Sequence, residues 1–187
     1  SEQMDSFSKS LRNTIDLELT LFQDRCLSNL SVAMNQVPGD RIMESVNKVK
    51  VGERELPILF VMGIGSGLKQ ISGSNDFVDQ LAEQLSGQFL IYQIYRDEGG
   101  EKIYLVSTSF KDSKEMVLGA EMDPASPIYQ TAVKAEGIYR GFQNIDGVQY
   151  YVSYKQIKDA GGTPLLLLGT AVSVEPVTDY IKKVTFT

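Results

Sequence analysis

The sequence contains no histidine, no tryptophan and a single cysteine. Without histidine there is no Ser-His-Asp or Cys-His arrangement and no imidazole metal ligand. The commonest general base at neutral pH is missing as well. A phospho-accepting histidine, if the protein serves a phosphorelay, is expected elsewhere. Cys26 alone forms neither an intrachain disulfide nor a zinc cluster. It falls at helical spacing among apolar residues, which predicts a buried small hydrophobe rather than a reactive thiol. Long apolar runs are absent too: nothing approaches the roughly 18 residues a spanning helix needs. No basic n-region precedes an apolar stretch, so no signal peptide is expected in this chain. Basic charge is scarce, with 18 Lys and Arg against 24 Asp and Glu. A net charge of −6 argues against nucleic-acid binding, which needs a basic footprint.

What remains is ordinary for a folded soluble domain: 42% hydrophobic and 22% charged residues in a chain of 187, enough to bury a core as one domain. Residues 3–36 predict one long helix, because Phe7, Leu11, Ile15, Leu19, Phe22, Cys26, Leu30 and Ala33 recur at steps of three and four. Pro38-Gly39 ends it. A second, short helix is expected over 40–49 on Ile42, Val46 and Val49. The apolar run 56–63 predicts a buried strand, and 74–87 a helix with Ser74 or Asn75 as N-cap and Gly87 as its stop. Strands follow at 88–96 and 102–110, joined by Asp97-Glu98-Gly99-Gly100. Ser126-Pro127 opens a helix reaching about Ala135. Strands at about 138–145, 148–158 and 163–174 are linked by Asp146-Gly147 and by Ala160-Gly161-Gly162. A last helix starts at Glu175-Pro176. Late strands joined by short turns imply an antiparallel sheet and an α+β fold.

Few groupings suggest chemistry. Gly63-Ile64-Gly65-Ser66-Gly67 lacks the third-glycine spacing of GxGxxG and any GK[ST], so a plain turn is expected. The carboxylates show no EF-hand alternation and no spacing that demands acid–base work. Tyrosine is the real concentration, with Tyr139, Tyr150, Tyr151 and Tyr154 within sixteen residues. On a strand, Tyr150, Val152 and Tyr154 share one face, and Tyr151, Ser153 and Lys155 the other. Two phenols on one face suit a small polar ligand in a largely apolar pocket; they equally suit plain coverage of a sheet, which tyrosine favours. Thr108 is expected to face whatever Tyr104 and Phe110 face. Arg140 and Lys155 are the nearest cations that could pair with a carboxylate.

The blocks NDFVDQLAEQLSGQFLIYQ, VSTSF, LGAEMDPASPIYQTAV, EGIYRGFQNIDGVQYYVSYKQIKDAGG and LGTAVSVEPV, in that order, resemble the single Cache family of sensor domains, in particular its Cache 3/Cache 2 fusion type. The likeness runs from about Leu56 to Val177. Gln156 stands where proline is common in that family, and the Arg-x-Trp-Tyr motif of amino-acid-sensing double Cache domains is absent. The resemblance implies a PAS-like curved antiparallel sheet with a long N-terminal helix. It places the whole chain in one sensor domain, with residues 56–174 as the sheet module. The long helix would descend to one membrane segment, and 175–187 would exit toward a second, both outside this chain. It implies a non-enzymatic, extracytoplasmic (periplasmic) part of a chemoreceptor or sensor kinase, with no cofactor or metal. The expected ligand is a short organic acid such as acetate or pyruvate. Matching positions point to Tyr139, Arg140, Tyr150 and Tyr154, with Thr108 opposite and Lys155 as a second cation. A homodimer through the long helix is a further expectation.

Overall fold

The structure is a computed structural model that describes residues 1–63 and 67–185. Helix α1 spans Glu2–Gln36. Of its expected apolar stripe, only the C-terminal half enters the core: Phe22, Cys26, Leu30 and Ala33 are buried, while Phe7 stays 59% exposed. Val37, just past the helix, is buried as well. The buried half packs on the two strands nearest it.

The helix expected over 40–49 is instead strand β1, Ile42–Val51, after one short helical turn at Gly39–Arg41. It pairs antiparallel with β2, Arg54–Gly63. The register slips between Glu44 and Lys48, and this bulge breaks the alternation that marks a strand. The interruption left Ile42, Val46 and Val49 at a spacing that imitates a helix. A tight turn closes the hairpin at Gly52, whose φ of 59° favours glycine. Strand β3, Gly67–Gln70, which the sequence did not suggest, completes this three-stranded sheet. The middle of the Gly63–Gly67 turn, 64–66, lies outside the described residues.

Helix α2, Asp76–Gln84, then leads into a second sheet. Its strands are β4 (Gln88–Asp97), β5 (Gly100–Thr108), β6 (Tyr139–Ile145), β7 (Val148–Lys158) and β8 (Pro164–Ser173). Their order is β5-β4-β8-β7-β6, with every neighbour antiparallel. First and last strands therefore meet at the centre, giving the α+β, PAS-like sheet the resemblance implies. Between β5 and β6 the expected helix is a single wide turn of π-helix, Tyr129–Lys134. Helix α3, Glu175–Thr185, follows β8 after one residue, Val174. No helix among the described residues is long and apolar enough to cross a membrane.

One face of the five-stranded sheet meets α1, α2 and the smaller sheet. Leu30, Val61, Phe77, Ile91, Val106 and Leu168 pack together there. Cys26 is wholly buried on the same face, its thiol directed at the Tyr151 and Thr170 carbonyls and at Ser153 Oγ. Desolvation pushes that thiol up to about 11, against a smaller opposite pull from the Ser153 hydrogen bond. The other face belongs to the tyrosines.

Candidate functional site

Alternation on β7 sends Tyr150, Val152, Tyr154 and Gln156 to the face away from α1. The register carries this parity across the sheet, since residues directly opposite point the same way. Tyr154 is opposite Tyr139 on β6 and Gly169 on β8; Tyr150 is opposite Gln143. On β4 the same face holds Leu90, Tyr92 and Ile94, which pack with Leu105, Val152, Tyr154 and Leu167.

Tyr154 is the centre of this face and is fully buried. Its ring has Tyr92 at 6.3 Å and Tyr139 at 6.4 Å, both tilted, in the range where ring quadrupoles attract. Gly169 makes room for it: a Cβ there would lie 2.3 Å from the Tyr154 ring. The Tyr154 hydroxyl donates to Gln143 Oε1 at 3.3 Å. Burial holds the Tyr154 phenol well above its ordinary range and pushes Tyr92 up to about 12. Both therefore act at neutral pH as hydrogen-bonding phenols, not as phenolate bases.

Thr108 joins them by a route the alternation did not predict. A bulge shifts the β4–β5 register between Ile91 and Tyr92. Thr108 comes to lie opposite Leu90, on the tyrosine face. Tyr104 stays on the other face among the α2-side core residues, beneath the Arg54 guanidinium at 5.0 Å. Phe110 does share the tyrosine face, making an edge contact with Tyr150 at 5.4 Å. The Thr108 hydroxyl accepts from the Phe110 amide at 3.1 Å.

The two expected cations are not brought to this cluster. Arg140 is opposite Ser153 and Lys155 opposite Leu168, so both point to the α1 face. Parity on β6 and β7 alone required it: neither residue can join Tyr139, Tyr150 and Tyr154 without slipping the register. Phe60 and Met62, the apolar residues at the end of β2, belong to the three-stranded sheet and not to this face.

Residues 109–138 cover the tyrosine face. Gly119 and Met122 donate to Leu105 and Ile103 carbonyls, and Tyr104 and Glu121 form an isolated bridge, so the cover also protects the outer edge of β5. Met116, Met122, Ala132 and Val133 then press down on the face, and Tyr92 donates to the Met116 sulfur at 3.7 Å. Asp146, at the tip of the β6–β7 hairpin, holds the cover at one end. Its carboxylate accepts from Ser113 Oγ and from the Lys114 and Glu115 amides at 3.1 and 3.2 Å. These bonds, led by the Ser113 hydroxyl, pull its carboxyl below the usual range.

At the opposite end, under the Tyr129–Lys134 turn, a cavity of about 470 Å³ opens. Arg96, Glu101, Tyr129, Lys134 and Gln156 are among its lining. Tyr92, Gln143 and Gln156 were not among the expected site residues. Tyr92 could have been found from the alternation Leu90, Tyr92, Ile94; the two glutamines carried no compositional signal.

A family model described as Single cache domain 3 matches residues 69–184, which is more than half of the chain and includes every strand of the larger sheet. No curated protein and no solved structure matches.

Proposed function

This chain belongs to the single Cache domain 3 family, and from that membership we propose that it is the extracytoplasmic ligand-binding part of a transmembrane chemoreceptor or sensor kinase, responding to a small organic acid. The match over residues 69–184 carries the reading. Domains of this family are sensor modules and typically extracytoplasmic.

The ligand is proposed to lie between the tyrosine face and its cover. Tyr139, Tyr150 and Tyr154 would supply apolar walls and hydroxyl tips, and Thr108 a further hydroxyl. With Arg140 and Lys155 across the sheet, a carboxylate here would be held by neutral donors and by cations at the rim. Signal would leave through β8, which runs into α3 with one residue between them. Helix α1 lies on β7 and β8, and its Ile15 and Leu19 pack in one cluster with Ile181 of α3. A ligand that favours one arrangement of the sheet over another would thus shift α3 against α1. Membrane segments beyond the two helices, and a homodimer along α1, belong to the same proposal.

Thermal unfolding against a panel of short carboxylates, amino acids, polyamines and purines tests it. A ligand at 100 times its Kd adds about 2.7 kcal/mol, a rise of roughly 5–10 °C for a domain of this size. A rise with a short acid that shrinks in Tyr154→Phe is the expected result. A panel without any effect would favour a second reading, in which the module signals through a protein partner. That alternative draws support from the packing of Tyr154 over Gly169, which fills the centre of the face with the protein's own side chain.

A further inference from the structure

The cavity under the π-turn holds one buried group whose hydrogen bonding is incomplete. Gln156, on the tyrosine face of β7 and 8% exposed, donates through Nε2 to the Val133 carbonyl at 3.3 Å. That bond fixes which end of the amide is oxygen. Oε1 then sits buried with no partner, a rare condition because an unpaired buried acceptor is costly. The missing partner must be a donor.

The charges around the cavity are unevenly satisfied. Arg96 is paired with Glu101 at 2.8 Å, and Glu136 with Lys158 at 2.8 Å. Tyr129 also donates to Glu101, at 3.4 Å. Lys134 has no ion-pair partner among the described residues. The wall therefore offers one free ammonium and one free acceptor, with its acids already engaged. The backbone that carries Lys134 and holds Gln156 is itself unusual. A π-turn is an uncommon conformation, and such turns recur at functional sites.

Resting on the reading of this face as the ligand face, we infer that the cavity receives the polar end of the ligand. The ligand is a short carboxylic acid bearing a hydroxyl or amino donor beside the carboxylate. Its carboxylate pairs with Lys134, and its donor satisfies Gln156 Oε1. A plain acid such as acetate fills only half of this demand.

Calorimetric titration with propionate, lactate and alanine tests the inference, because the three differ only in carrying hydrogen, hydroxyl or ammonium beside the carboxylate. Lactate or alanine should bind about tenfold tighter than propionate or better, as sites built to hydrogen-bond a substituent reject analogues lacking it. Gln156→Leu should reduce that ligand to the level of propionate. Gln156→Met, nearly equal in length, serves if leucine unfolds the protein. Lys134→Met should weaken all binding members of the set together. Equal binding of the three, or a preference that survives loss of Gln156, overturns the inference and leaves the sensor reading standing. Silence from all three overturns it as well; silence across the wider panel removes the small-acid reading of the face with it.

Discussion

Tyr154 owes its place to a neighbour that has no side-chain chemistry of its own to offer. Gly169 provides the floor, and the strand register puts that glycine directly opposite. Gly169→Ala should therefore cost about 1–3 kcal/mol, the usual range for overpacking a core, read from urea denaturation. In a Tyr154→Leu background the same change should cost less, because the clashing ring is gone. The tyrosine face itself was legible from alternation at Tyr150 and Tyr154. Its floor was not, since Gly169 in GTAV carries no periodic signal. The separation of Arg140 and Lys155 from Tyr139, Tyr150 and Tyr154 was legible too, because β6 and the stretch of β7 that carries them run without a bulge and alternation holds. Cys26 gives a second residue-scale test. Its thiol is raised from 9.0 to about 11, so the unfolded chain ionises first as pH rises. The stability this neutral thiol protects is complete below about pH 9 and is lost as pH climbs toward 11. Urea titrations should show the wild type losing stability relative to Cys26→Ala over that window. The difference between them removes the tyrosines from the comparison.

At the scale of elements, α1 behaves as two helices in series. Its C-terminal half is core, and Leu30→Ala should cost about 2–5 kcal/mol. Phe7 belongs to the same apolar stripe but is exposed, so Phe7→Ala should change stability by no more than about 0.5 kcal/mol. Chemical denaturation of the two variants separates them. A stripe at steps of three and four announces a helix, yet says nothing of how much of it a sheet can reach. Bulges caused two other misreadings. One in β1 hid a strand behind a helical spacing, and one between β4 and β5 sent Tyr104 and Thr108 to opposite faces. A single extra residue inverts parity downstream, and nothing in either local sequence marks it. The cover is tied at the Asp146 hairpin tip. Because this carboxyl is held below its ordinary range, its contribution is present above the unfolded value and lost as pH falls through the folded one. The wild type should melt above Asp146→Asn at neutral pH. The gap should close in acid, below the usual carboxylate range, as thermal scans at stepped pH will show.

At the scale of the whole molecule, α1 and α3 lie on the same side of a sheet whose other side is the proposed ligand face. The central strand β8 is shared between them: its Gly169 lies under Tyr154, while its Val172 packs with Phe22 and Cys26 of α1. Occupying one side can therefore be felt on the other. Hydrogen–deuterium exchange, with and without the panel acid that raises the melting temperature most, tests this most directly. Added protection is expected in the Tyr129–Lys134 turn and in β7, together with altered exchange where α3 leaves β8. Protection confined to α1 or the three-stranded sheet, or no change while the acid is bound, would contradict it.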